Sequence, residues 1–217
     1  MSDSSALLKR IEDLEQRLGI VEDEREIARI QNMYGFYLDN RMWREVADLF
    51  AEDGEIEISR RGAYRGKARI HRFLEDVLGQ GRWGLLKEEI INHIQLQMVI
   101  TVAPDRQRAK MRSRAMVQGN SPPGGKAMMQ AEGLYENDYV RQDGAWKIKR
   151  LWWIPTFYFN VPGFDTAVFE SGPVSESFPP DTPPRLKDER LGRSFPPFHY
   201  AHPISGAPGR IPTSDQE

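Results

Sequence analysis

The side chains that could do chemistry in this chain are few, and each has a plain structural alternative. There is no cysteine among the 217 residues and there are only four histidines. Thiol nucleophiles, disulfide scaffolds and cysteine-based zinc or iron–sulfur sites are therefore excluded, and no metal and no cofactor are expected. A literal GxGxxG occurs at Gly79–Gly84. It follows a helical FLEDVL run instead of a strand, so it lacks the βαβ context in which a helix amino terminus receives phosphates. His199 and His202 have ligand-like spacing but sit in a proline-rich stretch without clustered carboxylates, which reads as two packed polar residues. Lys110, Arg112 and Arg114 share one face of a strand and could bind an anion. Glu132, Glu136 and Asp138 share a face of the next strand, so cross-strand ion pairs on a wet surface account for them equally well.

The opposite face of those strands is apolar with sparse polar tips: Met111, Ser113, Gly133, Tyr135, Asn137, Trp146, Ile148 and Trp152. That is the lining expected of a small-molecule cavity, although a plain core is the competing reading. Whether His93 joins it depends on register. A three-residue turn at Ala103–Arg106 pairs residue 93 with 117 and turns His93, Gln95 and Gln97 inward, leaving Ile94, Leu96, Met98 and Ile100 outside. A four-residue turn exchanges the faces.

These strands belong to a longer pattern. Leu7, Ile11, Leu14, Leu18 and Val21 recur at spacings of 4, 3, 4 and 3, an a/d stripe lasting about two heptads. It wants an apolar partner, either its own domain or another subunit. A second helix is read over 22–38, opened by Glu22–Asp23–Glu24 and interrupted at Asp39–Asn40, with a short continuation through Trp43, Val46, Leu49 and Phe50. A strand at 55–59, a helix over 68–77 and strands over 92–102, 108–118, 128–140 and 146–153 follow. Helices followed by hairpin-linked strands make one α+β domain with a curved, mainly antiparallel sheet. The boundaries are a helix at 1–21, the domain at 22–160 and a proline-rich extended arm at 161–217. Twelve of the fifteen prolines lie beyond Trp153, where no interior helix or strand is expected. The chain past Trp153 keeps nine aromatic residues from Phe157 to Tyr200, so this segment is read as packed over the core or a neighbouring subunit, with the last ten residues loose. A formal net charge of −2 gives no drive toward nucleic acid, and no apolar run is long enough to cross a membrane. The amino terminus does not read as a signal peptide, so a cytoplasmic location is expected.

The sequence resembles SnoaL-like proteins of the nuclear transport factor 2-like superfamily. The similarity lies in Tyr34-x-x-Tyr37-Leu38-Asp39-Asn40-x-x-Trp43, LFAEDGEIE (49–57), YRGKARI (64–70), NHIQLQ (92–97) and YENDYVRQDGAWKI (135–148). It implies a conical α+β barrel with a deep pocket. Within the family the chain is most similar to scytalone dehydratase-like members. Asp39 matches the helix-end aspartate and His93 one of two catalytic histidines; the second histidine falls near Met111 and the pocket asparagine near Tyr135, so scytalone itself is not the implied substrate. Runs such as HIQLQ, GLYENDYV, WKIKRLWW and PPFHY also resemble bacterial proteins that break down lignin-derived aromatics, among them cofactor-independent lyases releasing formaldehyde.

The resemblance implies acid–base catalysis in an apolar pocket. Asp39 and His93 would move the proton, while Tyr34, Tyr64 or Asn137 holds the oxygen that changes charge. Arg112 completes the catalytic candidates. Tyr135, Asn137, Trp152, Tyr158 and Tyr37 would bind substrate. Electrons pushed from a para-phenolate would expel water to a quinone methide, and loss of a proton or of formaldehyde would finish the reaction. An isomerase, dehydratase or cyclase on a steroid or polyketide skeleton, and a non-catalytic binding protein, are the alternatives. Asp39 could instead bond its own backbone at a helix end, and His93 could be a satisfied strand histidine. The partners implied are a small aromatic substrate and further copies of the chain, as dimer or trimer.

Overall fold

A computed structural model describes residues 2–120, 123–169, 172–183, 190–191 and 196–209. Phe195, the opening of the Ser121–Gly125 loop and most of the end read as loose lie outside the described residues.

The two helices read at the start are one. Helix α1 runs unbroken from Ser2 to Asp39. Asp23, read as part of a helix amino terminus, instead lies inside it and is buried among cations: Arg106 Nε donates to its carboxylate at 2.6 Å, Trp146 Nε1 at 3.0 Å, and Arg141 bonds it as well. A mid-helix carboxylate therefore ties α1 to two strand ends. Helix α1 stops in a Schellman turn, with Arg41 N–H donating to Leu38 O and Met42 N–H to Tyr37 O. Arg41 takes the left-handed position (φ 54°) that glycine usually fills.

Short helix α2 (Trp43–Asp48) leads into β1 (Phe50–Ile58) and β2 (Ala63–Arg65). Helix α3 (Lys67–Arg72) continues as a π-helical turn through Leu78. The remaining strands are β3 (Ile91–Val102), β4 (Arg108–Gly119), β5 (Ala127–Gln142) and β6 (Ala145–Pro162). They form one open, six-stranded curved sheet in the order β2-β1-β6-β5-β4-β3, antiparallel except where β1 runs parallel to β6. Ile27, Ile30 and Tyr34 of α1 fill its concave side against Met111, Ala115, Tyr135 and Ile148. This is the expected α+β architecture, with the sheet left open.

Strand β6 continues well past Trp153, against the expectation from proline content. Beyond the Ile58–Trp153 pair it has lost β1 as a neighbour, so it is an edge where Pro155 can sit without a donor. The arm's last described stretch packs back on α1. Phe198 meets Phe36 and Tyr37 edge to face, and His202 stacks on Tyr37 at 5.4 Å. His202 accepts backbone N–H bonds from Ile204 and Ser205 at Nδ1 and bonds Glu45 O through Nε2 at 3.0 Å.

Candidate active site

Register slips in β3 and β6 decide which side chains reach the concave side. The β3–β4 hairpin has a four-residue turn, Pro104–Gln107, and near it Ile100 and Val102 face inward opposite Met111 and Ala109. Between Leu96 and Val99 the register slips by one residue, with Gln97 in the left-handed region (φ 51°). Past this bulge the faces exchange, and His93 pairs with Val117 on the inner side. Both registers read from the sequence are therefore present, one in each half of the strand. In β6 a second slip at Lys149 does the same: Ile148 is inward, then Leu151 and Trp153. Trp153 takes the place expected for Trp152, which lies on the outer face with Arg150 over its ring at 5.7 Å.

The result is a cavity of about 460 Å³ between α1, the sheet and the loop after α3. Tyr34, His93, Tyr135 and Tyr158 line it, together with Leu38, Trp43, Met129 and Trp153. Arg41 and Arg61 also reach it. His93 Nδ1 lies 2.7 Å from Asp39 Oδ1, both side chains about 15% exposed. Asp39 therefore engages a strand histidine. His93 Nε2 has no hydrogen-bond partner among the described residues.

Gly35, one turn before Asp39 on α1, lets the strand come this close. A β-carbon there would stand 3.1 Å from His93 O. Behind the pair runs a buried polar chain. Gln95 donates to His93 O at 3.2 Å and accepts from Gln31 at 3.0 Å, and Gln31 Oε1 accepts from Asn137 at 2.9 Å and Tyr139 at 2.8 Å.

Tyr34 and Tyr135 meet edge to face at 5.8 Å. Burial above all pushes both phenols up from their ordinary range, and the charge of Asp39 adds to it. They are therefore neutral donors at physiological pH.

Several expected site residues lie elsewhere. Tyr64 is stacked on Phe73 at 4.0 Å, outside the cavity lining. Arg112 points to the outer face, two-thirds exposed and paired with Glu136 in a ladder that includes Arg114–Glu132 and Lys110–Asp138. Asn137 is buried and spent on Gln31 and on the Trp152 N–H. Tyr37 faces the arm. Conversely Arg41, Arg61, Trp43 and Trp153 were not foreseen. Trp43 stood within the Asp39–Asn40-x-x-Trp43 signature, whereas the arginines gave no signal beyond their charge.

The SnoaL-like domain family matches residues 20–151, well over half of the chain. This protein is a SnoaL-like domain protein. Like its superfamily relatives of the nuclear transport factor 2-like fold, this SnoaL-like chain wraps a curved sheet around helices. A proposed scytalone dehydratase from Novosphingobium aromaticivorans DSM 12444 is 24% identical, with 67% of this chain and 90% of that chain covered at a TM-score of 0.55. The structure of LinA is 17% identical (68% and 95% covered, TM-score 0.59), and the type 3 hexachlorocyclohexane dehydrochlorinase of Novosphingobium barchaimii LL02 is 18% identical (70% and 95%, 0.55). At these identities the similarity is one of fold. No curated protein matches the sequence. Among the described residues no helix is long and apolar enough to cross a membrane.

Proposed function

We propose that this SnoaL-like protein is a cofactor-independent lyase acting on a small phenolic, lignin-derived diaryl compound, from which it eliminates water, formaldehyde or both. The observation that carries this reading is the His93–Asp39 pair, 2.7 Å apart, at the wall of a cavity otherwise built largely from aromatic and aliphatic side chains. Asp39 holds the imidazole by Nδ1 and leaves Nε2 to work as a general base.

In the proposed sequence His93 takes the phenol proton. Electrons from the phenolate pass through the ring and expel the benzylic hydroxide, which leaves as water with the proton His93 returns. The neutral quinone methide that remains has two exits. Loss of the proton on the adjacent carbon restores the aromatic ring as an alkene. Alternatively His93 deprotonates the terminal hydroxymethyl group, the carbon–carbon bond breaks, formaldehyde departs and its electron pair restores the ring. Tyr34 and Tyr135, held neutral by burial, can donate to the oxygen that gains charge, as can Arg61, whereas Arg41 is held by Glu89 and Gly79 O. Tyr158 and Trp153, joined by a 3.3 Å hydrogen bond, offer aromatic surface for the second ring. Two of the similar structures bear names of elimination enzymes, a dehydratase and a dehydrochlorinase, which favours elimination over isomerisation. The reading includes a cytoplasmic, homo-oligomeric protein serving aromatic catabolism.

The test is incubation of the chelator-treated protein with a panel of lignin-derived diaryl diols, followed by mass spectrometry with a formaldehyde trap present. Loss of formaldehyde, alone or with water, establishes the lyase, and loss of water alone a dehydratase. A product of unchanged mass would point instead to an isomerase or cyclase. Retention of an unaltered ligand would point to a binding protein.

A further inference from the structure

Helix α1 carries an apolar stripe that its own domain does not cover. Leu7, Ile11, Leu14, Leu18 and Val21 are between 45% and 59% exposed, and every described side chain from Ser4 to Leu18 lies at the surface. The domain grips the other side of the helix, through Gly19, Asp23, Ile27 and Ile30. At about 100° per residue these positions lie on the side of the helix away from the stripe. A partner on the stripe therefore meets no obstruction from the domain.

We propose that the stripe binds the same stripe of a second copy, as a parallel, in-register, two-stranded coiled coil. The spacings place Ile11 and Leu18 at a and Leu7, Leu14 and Val21 at d. Isoleucine at a with leucine at d favours two strands. The flanking charges select the orientation. Arg10 and Arg17 occupy g; Glu15 and Glu22 occupy e. In a parallel pair each g residue faces the e residue five positions on in the other helix, so Arg10 meets Glu15 and Arg17 meets Glu22, twice over by symmetry. An antiparallel pair would set arginine against arginine and glutamate against glutamate. Within the chain, none of these four side chains forms an ion pair among the described residues.

About two heptads are short for a free peptide, whose cost is chiefly helix nucleation. Here that cost is met in advance, because the stripe is the leading half of a 38-residue helix whose other half is locked into the domain. The stripe also ends where it should: the next a position is Arg25, a charged and exposed residue.

The absence of cysteine makes the test clean. The full chain should sediment as a dimer at micromolar concentration, and oxidised Leu7→Cys should form a disulfide with itself. A mixture of Leu7→Cys and Val21→Cys should give no mixed disulfide, because residues 14 apart on a helix stand about 21 Å from each other. The Arg10→Glu/Arg17→Glu protein should be monomeric with unchanged circular dichroism and unfolding temperature. Mixed with Glu15→Arg/Glu22→Arg it should pair again. A monomeric or trimeric wild type, a mixed 7–21 disulfide, or a dimer indifferent to the charge reversals would each overturn the proposal.

Discussion

His93 and Asp39 are 54 residues apart in sequence and 2.7 Å apart in space, where the last turn of α1 meets β3. Neither element alone makes a site. The helix ends its last turn on a carboxylate, the strand presents an imidazole, and the cavity gives the imidazole's other nitrogen something to act on.

The pair therefore has separable functions. His93→Ala should lower turnover by about 10²–10⁴-fold, the range for loss of a general base. Asp39→Asn should leave the imidazole in place but unable to share its charge, and should lower kcat more than it raises KM. Both proteins should keep the wild-type unfolding temperature within a few degrees. Full activity in both would show that the pair is structural.

Gln97 does not line the cavity, yet it sets the face on which His93 lies. Deleting it removes the extra residue that separates the two registers of β3. Strand residues before it would then present their opposite faces, and activity should vanish. Gln97→Gly, which accepts the same positive φ without strain, should keep activity. Activity in the deletion protein would show that His93 is not needed.

Gly35→Ala separates geometry from stability. Alanine in the helix should gain up to about 1 kcal/mol from propensity. Its methyl group would press on His93 O at 3.1 Å, so the strand must give by a few tenths of an ångström. The expected result is a protein at least as stable as wild type with kcat lower by about tenfold. A fall in stability with kcat preserved would contradict this account of the close approach.

Asp23 links stability to pH. Burial pushes its carboxyl up, but the hydrogen bonds from Arg106 and Trp146 and the charge of Arg141 outweigh that and leave it below its ordinary value. A carboxyl depressed in the folded state stabilises above its unfolded pKa, about 3.9, and loses that contribution as pH falls through the folded value. Asp23→Asn should cost about 1.5–3 kcal/mol near pH 7, where the charged hydrogen bonds are intact. The gap from wild type should close below about pH 4. Denaturant unfolding at several pH values checks this, and a pH-independent gap would refute it.

Much of this was legible from residue patterns. The alternation in β4 and β5 told correctly which side of the sheet is charged, because a strand's side chains alternate strictly while its pairing is regular. The outward ladder of Arg112 with Glu136 and Arg114 with Glu132, and the inward Met111, Ser113 and Tyr135, follow from it. The helical spacing of Ile27, Ile30 and Tyr34 likewise gave a buried face.

The misplacements trace to breaks in that regularity. A bulge costs little, carries no composition signal and reverses every side chain beyond it. Hence Trp153 and not Trp152 reaches the cavity, and two register readings for β3 are each valid over half the strand. Tyr37, one residue before Leu38 on α1, is turned toward the arm, since adjacent helical residues point about 100° apart. Residue types and their periodicity determined the class of fold and the set of side chains that could act. Only the folded chain, through its bulges and the close approach at Gly35, determined which of them share a cavity.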